Sequence, residues 1–291
     1  GFVETGTTGV GVTIHFALDC QTDVVEYRVR TALGKYGNLQ EIAGGWMLEL
    51  TNDVTNVKVP DNLGVIILEL NGFEIHGEAG NSNDIIGGSA VTIYDVADEG
   101  APTCLRFVNS DVKQSVVLGG QGYDENVARA HGGAGVLVEK NVRDGVKVSV
   151  GENVMVKGGR AGSYDVEGQG GVGGVGIRGN VEENKGIVQG PDWQFCLSFG
   201  NAAVDGNVWL NEGLIETAKE LDDQADSGVA VTGVVANERG SVPADLTKAE
   251  IEILAASNNA SVSVNWDGRA HAVVVPTCAE FDSSVVYSGG T

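Results

Sequence analysis

A flat indole can cover the apolar face of a pyranose while neighbouring amides and carboxylates take its hydroxyls, and this is the clearest chemistry the residue types here could perform. Trp193, Phe195 and Trp209 are the candidates for such a carbohydrate platform. Trp193 follows Gly190-Pro191-Asp192, a turn signal that exposes what comes after it, and Asn207 and Asn211 flank Trp209. The competing reading buries the same rings inside the fold.

Grouped carboxylates offer a second chemistry, the binding of a hard divalent cation through oxygen donors. Asp95, Asp98 and Glu99 run into Gly100 and Pro102 as a loop, and Asp124 lies in GGQGYDENV. That segment approaches the calcium-binding nonapeptide GGxGxDxUx, with Asn126 where an inward aliphatic residue belongs. Calcium is therefore the expected cofactor, held by Asp95, Asp98, Glu99 and Asp124. The alternative is that each group is a solvated turn, as Asp222, Asp223 and Asp226 would be on the outer face of a helix.

No nucleophile with its base, Walker lysine loop or GxSxG elbow occurs, so no catalytic residue is assigned. Gly171, Gly173 and Gly176 spell GxGxxG without following a strand and opening a helix, which leaves no dinucleotide site. The balance of 40 acidic against 18 basic side chains, a formal charge of −22, argues against nucleic acid as a partner. Between Val59 and Leu105 there is no Lys or Arg, against eight carboxylates. No apolar run is long enough to span a membrane. Cys20, Cys104, Cys196 and Cys278 lack zinc-ligand spacing; two disulfides and free thiols both remain open.

The elements that must carry these residues are short, valine-rich and punctuated by glycine. LELNGFEIHGEAG to GGSAVTI, VVLGGQG to GGAGVLV and VMVKGGRAG to GGVGGVGI repeat one pattern at intervals of roughly 40 residues, the mark of stacked coils that cover one another. WMLELT, VIILEL, AVTIYDV, CLRFV, SVVL, GVLVE, VKVSV and NVMVK read as strands. A parallel β-helix accommodates loops of unequal length at its corners; an antiparallel sandwich, with a hairpin at Arg143-Asp144-Gly145, is the rival. DVVEYRVRTALGKYG predicts a helix capped by Asp23 and ended by Gly34, with a strand as the alternative. After about Gly213 the pattern changes: LIETAKELDDQAD, with Leu214, Ile215, Ala218 and Leu221 as its stripe, and DLTKAEIEILAASNNA read as helices, while ASVSVNWDG and HAVVVPT read as strands.

In the order TALGKYG, WMLELTNDVT, VKVPDNLGVIILELNGFEIHG and GGQG…GGAGV, with Glu69, Leu70, Asn71 and Gly72 in an LDLNG-type run, the chain resembles bacterial secreted or surface-anchored right-handed parallel β-helix proteins of the pectate-lyase-like superfamily. The likeness covers roughly Asp23 to Gly179. It implies an all-β fold, a right-handed single-stranded parallel β-helix with an N-terminal helical cap and a mixed α/β C-terminal cap or insertion. The expected division is a β-helix over 1–213, its cap at about 23–36, and terminal coils or a capping region over 214–291 within the same domain. Family hydrolases carry paired aspartates beside a Gly-His-Gly turn and an Arg-Ile-Lys strand; here Ala130 precedes His131-Gly132-Gly133, and those motifs are absent.

The reading that results is a noncatalytic extracellular or bacterial cell-surface module that binds a polysaccharide or surface glycan or acts in adhesion, assisted by Ca²⁺. A divergent polysaccharide lyase or glycoside hydrolase is the alternative, favoured if two carboxylates and a basic side chain converge in one groove. A filament or phage-fibre subunit, self-associating through its coil ends, is the third.

Overall fold

The computed structural model describes residues 2–5, 13–16, 20–97, 99–123, 130–162, 172–191, 202–216, 230–239, 260–262 and 274–276. Strands β1 (Phe2–Thr5) and β2 (Thr13–Phe16) form an antiparallel pair. Helix α1 (Cys20–Leu33) follows, then β3 (Gly37–Ile42) and β4 (Gly45–Leu50), paired antiparallel. From β4 onward the chain visits three sheets in turn and starts again.

The first coil is β4, β5 (Val54–Thr55) and β6 (Val57–Pro60), and the second is β7 (Leu63–Glu69), β8 (Ile75–His76) and β9 (Val91–Tyr94). The third is β10 (Ala101–Val108), β11 (Ser115–Leu118) and β12 (Val136–Val138). The fourth is β13 (Lys147–Val150), β14 (Val154–Lys157) and β15 (Ile177–Arg178). β16 (Val181–Asn184), β17 (Ile187–Gln189) and β18 (Val204–Asp205) make the fifth. β19 (Val208–Asn211) and β20 (Leu214–Glu216) open the sixth, which closes on the bridge from Val231 to Val204, and β21 (Val235–Glu238) begins a seventh.

Every rung among β4 to β21 is parallel, so the coils stack strand on strand as in a parallel β-helix. The short pair β22 (Ala260–Val262) and β23 (Val274–Pro276) is antiparallel. The Arg143–Gly145 hairpin that the rival sandwich would need is not formed: β12 and β13 lie in different sheets, and Gly145, at φ +89°, turns a corner between coils.

Alternation along each strand places one side chain of every coil at the same inward position, about 4.8 Å above its counterpart. Ile66, Leu105, Val148, Val181 and Val208 form one such column in the first sheet, and Ile75, Val117, Val156, Val188 and Ile215 another in the second; all are buried. Each contributes about 1.5–3 kcal/mol by leaving water. Val29 and Leu33 of α1 join this core against the first coil. The helix begins at Cys20, so Asp23 sits inside its first turn and not ahead of it.

Leu214 and Ile215, expected on a helix, lie on β20. Short apolar runs do not distinguish the two periods, and here the parallel partner β17 decides. Residues 217–229 and 244–259, and with them Ala218, Leu221 and the Asp222 group, lie outside the described residues. Cys104 is a free, half-buried thiol.

One inward column turns polar. Asn184 and Asn211 are fully buried, and the Asn184 Nδ2 donates to Asn211 Oδ1 at 2.7 Å, while Asn211 Nδ2 reaches the Gly213 carbonyl at 3.3 Å. Asn211→Ala takes the closer acceptor from Asn184 Nδ2 and leaves it the Leu214 carbonyl at 3.3 Å, so a loss of about 0.5–1.5 kcal/mol in urea unfolding is expected; a value near zero would mean that water replaces the lost acceptor.

The glycine-rich segments form a second structure beside the core. Backbone runs leaving and re-entering successive coils are joined main chain to main chain: Gly120 N–H donates to Gly88 O, Gly133 to Gly120, Gly159 to Gly133 and Gly174 to Gly159, each at 2.8 Å. Along the stack, Gly80 donates to Gln121 O at 2.7 Å and Gly122 to Arg160 O at 2.8 Å. A Cβ on Gly120, Gly133 or Gly174 would fall against the backbone carbonyl of Glu78, Gly88 or Gly133 respectively. This is why the repeat carries glycine pairs: the layers touch through main chain.

Candidate functional site

The outer face of the first sheet carries the one expected platform residue that is described. Trp209 lies on β19 and is 49% exposed. It lines a groove of about 300 Å³ with Arg106 of β10, Ser149 of β13, Glu182 and Glu183 of β16, and Leu210. Four consecutive coils contribute.

A bulge brings these side chains together. Val148 pairs with Val181, but the next rung joins Ser149 to Glu183, which leaves Glu182 as an extra residue. The β16–β19 ladder keeps its register across the extra residue, from Val181–Val208 to Glu183–Leu210, so Trp209 occupies the equivalent place one coil on. Such an insertion re-aims a side chain without breaking the inward column. Val181 and Val208 remain buried while Glu182 and Trp209 line the groove.

The charges around the groove are paired. Glu182 Oε1 accepts from Lys147 Nζ at 3.2 Å, and its Oε2 lies 3.7 Å from Arg106 Nη2. Glu183 meets Lys185 Nζ at 2.9 Å, and Glu212 lies 3.9 Å from the same ammonium. Glu183 chiefly, by hydrogen bond and charge, holds the Lys185 ammonium above its ordinary pKa. Arg106 makes no hydrogen bond among the described residues and is 48% exposed. What the site offers is an aromatic face, a hydroxyl, two carboxylates and a guanidinium with its donors unspent.

No protein-family model, curated protein or solved structure matches the chain. The groove is therefore interpreted on its own chemistry.

The other expected site residues are more scattered. Trp193, Phe195, Asp98 and Asp124 lie outside the described residues. Asp95 and Glu99 are exposed on the loop between β9 and β10, away from the residues that line the groove. The Glu99 carbonyl accepts from Arg28 Nη1 at 2.7 Å, which ties the loop to α1. Among the described residues no three His, Cys, Asp or Glu side chains form a group able to hold a metal ion. The described part of this loop does not supply a calcium cage.

Arg106, Lys147, Ser149, Glu182 and Glu183 were not singled out from sequence. The available signal was a shorter repeat: Gly179-Asn180-Val181 and Gly206-Asn207-Val208 recur at the 27-residue spacing that also joins Arg178 to Asp205 and Asn184 to Asn211. That register sets Glu182 and Trp209 at one position of successive coils.

Proposed function

We propose that the chain is a noncatalytic extracellular or cell-surface module that binds a polysaccharide or surface glycan, built as a right-handed parallel β-helix of the pectate-lyase-like kind with α1 as its N-terminal cap. The observation that carries the reading is the half-exposed Trp209 indole in a groove with Ser149, Glu182, Glu183 and Arg106. An aromatic face for the apolar side of a sugar, ringed by fixed donors and acceptors, is the usual construction of a small-molecule site. The parallel stack gives the groove a rigid floor, since each lining residue belongs to a strand hydrogen-bonded on both edges.

Retention on immobilised polysaccharides, followed by calorimetric titration with the oligosaccharide of the polymer that retains it, tests the proposal. Trp209→Ala is expected to weaken binding about tenfold or more, with an unchanged melting temperature because the ring faces outward. Equal affinity of the variant and the parent would remove the groove from the account. Calcium assistance at the 95–99 loop is part of the same proposal, and a chelator that leaves retention unchanged would discard it.

A second reading has one observation in its favour. Two carboxylates and a basic side chain do converge in the groove, and glycoside hydrolysis uses a pair of carboxylates. Each carboxylate is, however, tied to a cation. Shortened or unsaturated products after long incubation with the retained polysaccharide would establish this reading; their absence leaves the binding module.

A further inference from the structure

We infer that the ligand of this groove carries one isolated acid group, which Arg106 takes directly, and that the site selects such a saccharide over both its neutral analogue and a densely charged polyanion. The inference rests on the glycan-binding reading and goes further in naming the ligand's charge.

The argument starts from which charges the groove has already matched. Lys147 is hydrogen-bonded to Glu182 at 3.2 Å, and Lys185 contacts Glu183 at 2.9 Å with Glu212 3.9 Å from the same ammonium. Arg106 is held only by a looser ion pair. Its nearest carboxylate oxygen, on Glu182, is 3.7 Å away, beyond hydrogen-bonding distance, and no described residue accepts from its five donors. A guanidinium presents a planar fork that fits the two oxygens of a carboxylate or sulfate, and such charge-assisted pairs are the strong ones. Trp209, which lines the same groove from three coils further on, supplies the ring face for a neighbouring sugar unit. The acid and the stacked ring thus belong to different units of one oligosaccharide, since coils are spaced about 4.8 Å apart.

The rest of the molecule sets the upper limit on charge. The chain has a net charge of −22. An acid seated on Arg106 lies within the screening length of about 8 Å at physiological salt, where the local cation dominates. Acid groups that project beyond the groove meet the field of the acidic surface and are repelled. One charge is favoured and a run of charges is not. Direct recognition by Arg106 also needs no bridging cation, so a chelator is expected to leave the preference intact.

The experiment uses the full chain and four oligosaccharides of equal length: a neutral one, the same one with a single uronate, the same one with a single sulfate ester, and a polyuronate. Each is titrated calorimetrically in chelator against the parent chain, Arg106→Gln and Trp209→Ala. The expected order is singly acidic tightest, by about tenfold or more over neutral, with polyuronate weaker than the singly acidic ligand. Arg106→Gln should cancel the preference, so that the singly acidic and neutral ligands bind with equal affinity, and Arg106→Lys should restore only part of it. The uronate and sulfate arms separate carboxylate from sulfate recognition. A neutral ligand bound as tightly as the acidic one, a preference that survives Arg106→Gln, or a polyuronate bound tightest would overturn the inference and leave the glycan-binding reading standing. Failure of all four sugars to bind, in chelator and again with Ca²⁺ restored, would sink both.

Discussion

Asp61→Ala is expected to cost about 3–5 kcal/mol of unfolding free energy, because it removes the buried carboxylate that the Arg143 guanidinium and the Arg143 and Val96 N–H groups share. Asp61 is fully buried at the corner between β6 and β7. Its Oδ2 accepts from the Arg143 backbone N–H at 2.8 Å, and its Oδ1 from Arg143 Nη2 at 3.2 Å and from the Val96 N–H at 3.3 Å. Arg143 in turn donates to the carbonyls of Gly100 at 2.9 Å and Val96 at 3.2 Å. One carboxylate thereby ties together the corners of three successive coils.

The same site has a pH signature. Burial opposes the charge on Asp61, but the Arg143 N–H and guanidinium, with the Val96 N–H, outweigh it and hold the carboxyl below its ordinary value. A carboxylate whose folded pKa is depressed stabilises the fold fully above the unfolded value, near 3.9, and loses that contribution as pH falls through the lower folded pKa. The difference in stability between the parent and Asp61→Asn should therefore be largest at pH 6 and shrink below about pH 4. Comparing the two chains cancels the general relief of self-repulsion that acid brings to a chain of charge −22. Urea unfolding at pH 6 and pH 3 measures it; a difference that does not change with pH would assign the cost to lost packing and not to charge.

How much of this could be read beforehand follows from which interactions are local. The strands were legible because valine and isoleucine alternate in runs bounded by Gly, Asn and Asp, and their stacking was legible because the glycine pattern recurs. β20 was misread because Leu214 and Ile215 suit either period and only the neighbouring coil chooses. Trp209 was found by residue type, with Asn207 and Asn211 beside it. Its partners were not, for a physical reason. Arg106 and Glu182 are distant in sequence and meet at 3.7 Å only because coils of unequal length bring β10 and β16 to either side of β13. The Asp61–Arg143 staple is hidden in the same way, since its residues are 82 apart and sit in loops whose length varies from coil to coil.

The glycine pairs make the opposite case: their positions were plain and their purpose was not. Gly→Ala at Gly133 or Gly174 is expected to lower stability by about 1–3 kcal/mol or more, comparable to overfilling an apolar core, although neither residue contributes a side chain. The added methyl of Gly174→Ala would meet the Gly133 carbonyl, and that of Gly133→Ala the Gly88 carbonyl. Backbone cannot rotate aside as a side chain does, so the layers must separate, and the 2.8 Å bonds from Gly133 to Gly120 and from Gly174 to Gly159 would lengthen together. Gly44 provides the contrast. It has φ +88° and open space where a Cβ would stand, so Gly44→Asn, which tolerates that conformation, should cost little. Native-state hydrogen exchange distinguishes the two kinds of glycine: Gly174→Ala should expose the amides of Gly120, Gly133 and Gly159 while those of β13 and β16 stay protected. Uniform loss across both would mean that the glycine layers and the valine core unfold as one body, and undisturbed protection everywhere would mean that the layers are looser than their hydrogen bonds require.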